Sequence, residues 1–293
     1  MSDRKKGIIN ATIAYLLWGL YPIYWWQLQS VSPTEILINR MVWSFFTLFL
    51  VILFLRKFKE LSFLFKELFL NKKRLFLLFL ATVLIVINWF TYSFSVVNGR
   101  ILEASLGYYL SPILSFIIGV FILKEKLNKL QILAVLIAFL GVLFQIISYG
   151  IFPWISLILA SSFAFYGLCK KLIKVDAFFS LFIETIFMLP ISLFFFSRLF
   201  TTNESTFLLG DVSLTLLLIG TGLVTILPLF FFGKATQLVP LKIIGFLQYI
   251  GPTMGMFIAV FILGEDFSIT RLISFVIIWI ACIIFAFSQF RVK

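Results

Sequence analysis

The chain contains one stretch twice, and this internal repeat constrains the fold more than any other feature of the sequence. Residues 109–127 read YLSPILSFIIGVFILKEKL, and residues 249–267 read YIGPTMGMFIAVFILGEDF. Eight positions are identical without a gap, including Tyr109 and Tyr249 at the start of the two copies. A duplication of this kind predicts two structurally equivalent halves that pack against each other.

The composition indicates that each half is a bundle of membrane-spanning helices. Hydrophobic residues make up 62% of the chain and charged residues only 12%, whereas soluble domains carry about 25% charged residues. A helix needs roughly 20 apolar residues to cross a bilayer. Ten such segments lie near residues 7–26, 35–55, 74–97, 102–123, 129–149, 152–169, 177–198, 212–233, 241–263 and 270–290. We therefore predict an all-α integral membrane protein with ten transmembrane helices, divided into a first repeat (1–149) and a second repeat (150–293).

The positions of the basic residues predict how the helices are oriented. Lysine and arginine total 24 against 12 acidic residues, and basic residues concentrate at the cytoplasmic ends of membrane helices. Twenty of the 24 lie at helix ends on the side of the N-terminus, three lie at the opposite ends, and Arg40 lies inside a span. Both termini are therefore expected in the cytoplasm. No nucleic-acid partner is expected, because a nucleic-acid reader carries its charge on one exposed face.

The odd number of spans in each half inverts the second half relative to the first. Glu125 is therefore expected on the cytoplasmic side and its repeat counterpart, Glu265, on the opposite side. Inverted repeats related by a two-fold axis in the membrane plane are typical of secondary transporters, with the substrate site between the halves. This architecture suits alternating access, because two similar halves can exchange inward-open and outward-open shapes.

One connecting segment has a pattern of its own. Residues 58–70 read FKELSFLFKELFL and repeat FKEL at a seven-residue interval. Phe58, Leu61, Phe65 and Leu68 fall on one face of a helix, which predicts an amphipathic helix lying on the cytoplasmic leaflet. Simple anchoring accounts for this segment better than a regulatory role does.

Several classes of protein are excluded by residues that the sequence lacks. The chain has no histidine, the commonest general base and metal ligand, so a Ser-His-Asp triad is not possible. No Walker phosphate-binding sequence is present, and Cys169 and Cys282 are too far apart in sequence for a CxxC site. We expect no enzymatic activity, no cofactor and no metal. A membrane enzyme stays a minor alternative, as does a structural or sensory membrane protein, for which the short loops leave little interaction surface.

Two charged residues lie within the predicted spans, where polar groups are costly and mark candidate sites. Arg40 lies in span 2 and Glu184 in span 7, which are equivalent in the two halves. From nearly matching depths they could clamp the carboxylate and the ammonium of a zwitterion, with the arginine forming two parallel hydrogen bonds. Three alternatives to the clamp stay open: Arg40 extends outward to water, Glu184 pairs with a neighbour, or Glu184 carries a coupling proton.

Aromatic and amide side chains supply the remaining candidates for a substrate cavity. The residues expected to line it are Trp43, Asn88, Tyr92, Tyr109, Gln248 and Tyr249. Asn88 and Tyr92 share a helical face at a spacing of four residues. Such a set suits a small metabolite, although hydrogen bonds between helices are the simpler role for any single member. Spans 5 and 10 are more uniformly apolar, with Gln145 as an exception, and we expect them at the periphery.

Three stretches resemble RarD-type proteins of the EamA branch of the drug/metabolite transporter superfamily. They are NWFTYSFSVVNGRILEASLGYYLSP (88–112), LKEKLNKLQ (123–131) and GFLQYIGPT (245–253), and residues 6–25 and 35–44 fit as well. The family usually has a histidine at the position of Asn39, and this departure argues against a proton-coupling role there. The resemblance implies ten helices in two inverted EamA repeats, a bacterial inner-membrane location, and transport of small metabolites such as amino acids or nucleotide sugars.

These observations predict a secondary active transporter that moves a small polar or zwitterionic metabolite, such as an amino acid, by alternating access. Its expected partners are the substrate, a coupling proton and the lipid bilayer, in a monomer or a homodimer. The principal alternative is a flippase for lipids or lipid-linked intermediates in the same fold. A flippase predicts a lateral opening to the bilayer and few charges in the cavity.

Overall fold

The chain is entirely helical in the part that the structure describes. The computed structural model describes residues 1–150, 153–202, 204–208, 211–264 and 268–290, and these ranges contain thirteen α-helices and no β-strand. The helices are α1 (Asp3–Gly19), α2 (Tyr21–Trp26), α3 (Pro33–Phe54), α4 (Phe58–Leu70), α5 (Lys72–Val97), α6 (Ile101–Phe121), α7 (Lys129–Tyr149), α8 (Trp154–Ile173), α9 (Ala177–Thr201), α10 (Val212–Leu238), α11 (Leu241–Gln248), α12 (Ile250–Phe261) and α13 (Ile269–Phe290).

The predicted spans correspond to these helices. In the described ranges, nine helical segments are long and apolar enough to cross a membrane, and α1 with α2 and α11 with α12 each count as one segment. The tenth predicted span, near 270–290, lies in α13, where the apolar helix Leu272–Ser288 is shorter. The prediction of an all-α membrane protein is confirmed.

Prolines account for the places where two of the spans are interrupted. Pro22 lies in the first turn of α2, and Pro252 lies in the first turn of α12. Proline is tolerated in a first turn because the N–H that it lacks would have no intrahelical partner there. Pro112, the repeat counterpart of Pro252, lies instead inside the continuous helix α6. The two copies of the repeat therefore differ in backbone structure.

The predicted amphipathic helix is present as α4, which packs against α5. Leu61, Leu64 and Leu68 form its buried face, whereas Phe63 points away from the bundle. The predicted apolar face included Phe58, which is exposed, and omitted Leu64. The observed buried face differs from the predicted one because the contacts of α4 with α5 determine which side of α4 is buried.

The helix contacts form pairs that a two-fold exchange of the two predicted repeats would relate. Helix α5 packs on α8, and the equivalent pair, α10 on α1, is also in contact. Helix α6 packs on α8, and its equivalents, α11 and α12, pack on α1. Three pairs correspond to themselves under the exchange: α3 with α9, α6 with α11, and α7 with α13. The contact between the halves is therefore built from matching helices.

Candidate functional site

A cavity of about 700 Å³ lies between the two halves, and its volume is within the range of about 300–1,000 Å³ typical of small-molecule sites. Five of the candidate residues line it: Arg40, Asn88, Tyr92, Tyr109 and Gln248. Trp43, Glu184 and Tyr249 are not among the described residues of its wall. The structure therefore brings together most of the polar candidates but only one of the two charged ones.

The cavity is open at one end of the bundle. We call the end at which α1, α5 and α7 begin the basic end, because most lysines and arginines of the chain flank it. Trp26 and Gln29 line the cavity, lie at the opposite end and are exposed. The mouth of the cavity is therefore at the end away from the N-terminus.

Five aromatic rings close the cavity toward the basic end. They belong to Tyr15 and Trp18 on α1, Phe163 and Tyr166 on α8, and Phe232 on α10. The rings of Tyr166 and Phe232 stack with centroids 5.9 Å apart, and those of Trp18 and Phe163 meet edge to face at 5.5 Å. Such pairs contribute about 0.5–1.5 kcal/mol each beyond the burial of their area. The equivalent helices α1 and α8 each contribute two rings to this aromatic floor, and α10 of the second half contributes the fifth.

Arg40 is the one charged residue among the described residues that line the cavity. Its Nε donates to Thr225 Oγ1 at 3.0 Å. Its guanidinium carbon lies 5.1 Å from the ring centroid of Trp25 and 4.7 Å from that of Trp89. No carboxylate in the described part of the chain lies within 4.0 Å of its nitrogens. The guanidinium is therefore held by cation–π contacts and lacks a counter-ion there.

A close approach of α3 and α10 places Arg40 beside Thr225. A Cβ atom at Gly222 would clash with the backbone carbonyl group of Trp43, so a larger residue at this position would push the helices apart. Gly222 and Trp43 each lie three residues from Thr225 and Arg40, a spacing that puts them on the same helix faces. A glycine of the second half therefore sets the position of an arginine of the first.

Trp43 lies outside the cavity wall because its own helix and a neighbouring segment hold its indole ring. Its Nε1 donates to Asn39 Oδ1 at 3.1 Å, and Asn39 Nδ2 donates to the Glu35 carbonyl oxygen at 3.0 Å. The ring also packs on Phe207, with centroids 5.8 Å apart. Asn39 is fully buried, and its hydrogen bonds serve the structure of α3.

Asn88 and Tyr92 line the cavity from α5. Asn88 Nδ2 donates to the Leu159 carbonyl oxygen at 2.8 Å and to Ser162 Oγ at 3.0 Å. The ring of Tyr92 lies 6.1 Å from that of Tyr108, which also lines the cavity. Asn88 therefore connects α5 to α8 in addition to contributing to the wall.

Gln248 and Tyr109 line the cavity where α6 meets the break between α11 and α12. Gln248 Nε2 donates to Ser111 Oγ at 2.8 Å. The Tyr249 hydroxyl donates to the Tyr109 carbonyl oxygen at 3.3 Å, and its ring is buried in an apolar cluster. The two tyrosines that begin the repeat thus contact each other, and of the pair Tyr109 faces the cavity.

Sequence similarity to known proteins identifies the family of this chain. Residues 5–147 match the EamA-like transporter family. The chain is 40% identical to the uncharacterized transporter YojE of Bacillus subtilis over 294 residues, which covers 100% of this chain and 97% of that protein. It is 37% identical to protein RarD of Escherichia coli over 281 residues, which covers 96% of this chain and 94% of that protein. The chain belongs to the EamA-like transporter family.

A solved structure supports the same fold for this EamA-like transporter. It superposes with a TM-score of 0.71 at 13% sequence identity and covers 97% of this chain and 99% of that structure. At this identity the likeness concerns the fold alone. Relatives in Bacillus subtilis and Pseudomonas aeruginosa are named as transporters. The chain is therefore a multi-pass membrane transporter, and the predicted resemblance to RarD-type proteins is confirmed.

The second predicted charge of this EamA-like transporter does not reach the cavity. Glu184 is 2% exposed, and its Oε1 lies 2.6 Å from Nζ of Lys170, which is 1% exposed. Ser180 Oγ donates to the same carboxylate at 2.9 Å, and the Tyr166 hydroxyl donates to Oε2 at 3.1 Å. The structure pairs Glu184 with a neighbour and does not bring it to Arg40. The predicted clamp between these two residues is therefore not formed.

Lys170 is a buried residue that the sequence pattern does not single out. Its position in the sequence groups it with the basic residues at the edge of the membrane, although it lies within α8. The sequence does contain one indication of the pairing. Lys170 is near the end of one predicted span and Glu184 is near the start of the next, so both are expected at a similar depth in the membrane. Antiparallel neighbouring helices bring such positions to the same level, where an ion pair can form.

Glu125, the acidic residue of the repeat, connects the two halves at the basic end. Its Oε1 accepts a hydrogen bond from the Leu241 backbone N–H at 2.7 Å, and its Oε2 accepts one from that of Lys242 at 3.0 Å. These groups belong to the N-terminus of α11, whose free N–H groups and positive dipole end favour a carboxylate. A Cβ at Gly119 would lie 2.8 Å from Oε2, so this glycine leaves room for the carboxylate. Glu265 lies outside the described residues.

A second link closes the basic end beside Glu125. Lys171 Nζ donates to the carbonyl oxygens of Thr236 and Val239 at 3.1 and 2.8 Å. These carbonyl groups lie at the C-terminus of α10, where a cation is favourable. Together with the aromatic floor, these contacts close the basic end.

Glu125→Ala is expected to lower the free energy of unfolding by about 1–2 kcal/mol, because it leaves two backbone N–H groups of α11 without an acceptor. Detergent-denaturation curves of the purified protein would measure this loss. Glu60→Ala removes an exposed acidic residue of α4 and should change the same quantity by less than about 0.5 kcal/mol. Equal effects of the two substitutions would contradict the role of Glu125 as a helix cap.

Proposed function

We propose that this transporter is a secondary active carrier that works by alternating access. Its substrate is a small polar or zwitterionic metabolite with an anionic group, such as an amino acid, which crosses the bacterial inner membrane. The observation that supports this proposal best is the charge of Arg40. A cation on the wall of an aromatic cavity needs an opposite charge when it is removed from water, and no described residue supplies one.

The environment of the Arg40 guanidinium favours an anion that approaches its edge. Its Nε donates to Thr225, and Trp25 and Trp89 lie over the guanidinium group. The two terminal nitrogens form no hydrogen bond with any residue in the described ranges. Such an edge donates two parallel hydrogen bonds to a carboxylate or a phosphate. The site is therefore suited to a planar or tetrahedral oxyanion.

The remainder of the wall suits the carbon skeleton of a metabolite. Aromatic side chains on the wall include Trp25, Trp89, Tyr92 and Tyr108. Their rings offer apolar contact, and the tyrosine hydroxyls and indole N–H groups can still form hydrogen bonds. A substrate with one anionic group and a partly apolar body would satisfy both parts of the cavity.

In this proposal, the observed arrangement is one of the two states that alternating access requires. If both termini are cytoplasmic, the cavity faces outward and the aromatic floor separates it from the cytoplasm. The opposite state requires the contacts of Glu125 and Lys171 to open and the mouth at Trp26 to close. The matched packing of equivalent helices supports such an exchange, because each half can adopt the contacts of the other.

Binding measurements with Arg40→Gln test the proposed function. A ligand that binds only the folded state raises the melting temperature, so small carboxylates should stabilise the wild-type protein more than their methyl esters do. We expect Arg40→Gln to weaken carboxylate binding by about ten- to a hundredfold. The control is Arg198→Gln, which removes an exposed arginine from the same end of the bundle and should leave binding unchanged.

Two outcomes would contradict the proposal. Equal stabilisation of the wild-type protein and Arg40→Gln by carboxylates would remove Arg40 from the binding site. Stabilisation by lipids alone, with no response to small acids, would favour the flippase instead.

A further inference from the structure

Gln145 is a buried amide without a hydrogen-bond partner in the described part of the chain. Its side chain lines the cavity and is 2% exposed. Its Oε1 is buried and accepts no hydrogen bond, and its Nε2 donates to no described residue. Buried polar groups are almost always paired, so an unpaired one indicates a missing partner. The apolar pattern of its helix, α7, predicts a place at the periphery, and the structure instead brings this residue to the cavity.

A second unpaired amide oxygen lines the same cavity. Gln248 Oε1 is buried without a partner, while Gln248 Nε2 donates to Ser111 Oγ. Val142 and Ile146, which flank Gln145, belong to the same apolar cluster as Tyr249, the residue after Gln248. Helix α6 contacts both α7, which carries Gln145, and α11, which carries Gln248. We call the part of the wall formed by these three helices the amide side.

Arg40 and the two amides lie on different helices of the cavity wall. Arg40 lies on α3 with Thr225 of α10, and the main neighbours of α3 are α5, α9 and α10. Gln145, Gln248 and Ser111 lie on helices that are not among those neighbours. A substrate that fills the cavity would therefore contact two chemically different ends.

We infer that Gln145, together with Gln248 and Ser111, forms a second polar subsite that binds an uncharged group able to donate and to accept hydrogen bonds. A carboxamide has both capacities, as does a hydroxyl group, and the primary amide of Gln145 is complementary to either. This inference rests on the proposed function, in which the anionic group of the substrate binds at Arg40. The substrate class is then a small organic acid with an uncharged polar group at its far end.

The charge of the wall favours an uncharged group over an ammonium in this subsite. No acidic residue is among the described residues that line the cavity. Once a carboxylate has paired with Arg40, an ammonium at the far end would have no opposite charge nearby. Burying such a charge is far costlier than burying a neutral amide that is hydrogen-bonded.

A matched series of carboxylic acids tests this inference on the full-length purified protein. Each chain length is measured with a carbamoyl, a methyl or an ammonio group at the end opposite the carboxylate. In the wild-type protein, the carbamoyl acid of the best chain length should bind about tenfold more tightly than the methyl acid. Gln145→Leu should abolish this preference without weakening the methyl acid. Gln248→Leu is a second variant and should reduce the same preference.

The ligand-free melting temperature gives an independent readout. Leucine has nearly the volume of glutamine and no polar group, so Gln145→Leu removes an unpaired buried amide. We expect the ligand-free variant to melt at a higher temperature than the wild-type protein while it loses the carbamoyl preference. A lower melting temperature would show that Gln145 has a structural partner and would overturn the inference.

The outcomes separate this inference from the proposed function. If Arg40→Gln weakens every acid but the wild-type protein does not distinguish carbamoyl from methyl acids, the second subsite is wrong and the anion site stands. If Arg40→Gln binds all acids as the wild-type protein does, the proposed function fails and the inference fails with it. If ammonio acids bind best and Gln145→Leu removes that preference, the subsite binds a cation, which contradicts an uncharged group.

Discussion

Lys170→Met is expected to lower the free energy of unfolding by about 3–5 kcal/mol. The substitution leaves the Glu184 carboxylate buried without its cation, and only the hydroxyl groups of Ser180 and Tyr166 remain to stabilise it. The same loss is expected for Glu184→Leu, because Lys170 would then be the unpaired charge. Denaturation of the purified protein in mixed detergent micelles would measure both changes.

The double variant distinguishes an ion pair from two independent contributions. Replacing both Lys170 and Glu184 by residues of similar volume, methionine and leucine, removes both charges and should recover most of the lost stability. Lys66→Met, which removes an exposed lysine of α4, serves as the control and should have an effect below about 0.5 kcal/mol. Additive losses in the double variant would contradict the pairing of Lys170 with Glu184.

Glu35→Ala is expected to lower the free energy of unfolding by about 3 kcal/mol. Glu35 is fully buried at the start of α3. Its Oε1 accepts hydrogen bonds from Ser205 Oγ at 3.1 Å and from the backbone N–H groups of Thr206 and Phe207 at 2.7 and 3.2 Å. Its Oε2 accepts a further one from Thr206 Oγ1 at 3.1 Å. Alanine would leave these donors without an acceptor, and two of the three residues that carry them, Ser205 and Phe207, are buried.

Glu35→Gln provides the matched comparison for this prediction. Glutamine keeps one acceptor oxygen and the length of the side chain, so the loss should be about half that of alanine. Limited proteolysis of the segment between α9 and α10 would show whether the chain near Thr206 is released. An alanine variant as stable as the wild-type protein, with the segment equally protected, would refute the anchoring role of Glu35.

The candidate site could be predicted in part, because the cost of polar groups in a membrane is visible in the sequence. Arg40, Asn88 and Gln248 interrupt apolar segments, and all three lie on the cavity wall. Glu184 has the same signature, yet its carboxylate is paired with Lys170. Gln145 stands out as an exception on an apolar span, but its contact with the cavity was not predicted. The signature identifies a polar group that needs a partner and does not say whether that partner is a side chain or a ligand.

The amino-acid sequence was sufficient to predict an all-α membrane protein and the positions of its helical spans, and it also predicts their alternation across the membrane and a two-fold plan. These properties follow from runs of apolar residues, from the distribution of lysine and arginine, and from the repeat that begins at Tyr109 and Tyr249. The spans can be predicted from the sequence because, in a membrane, each spanning segment has to form its own backbone hydrogen bonds as a helix. The position of the amphipathic helix α4 in the chain can be predicted for a similar reason, because its pattern depends on one segment only.

Which faces of these helices meet depends on the tertiary structure. The rotation of α8 against α9 directs Lys170 to Glu184, and the close approach at Gly222 directs Arg40 to Thr225 and the cavity. A rotation of one residue, about 100° on a helix, would exchange a cavity-facing side chain for a buried one. Such rotations are set by the packing of side chains that are far apart in the sequence, and no single segment contains that information.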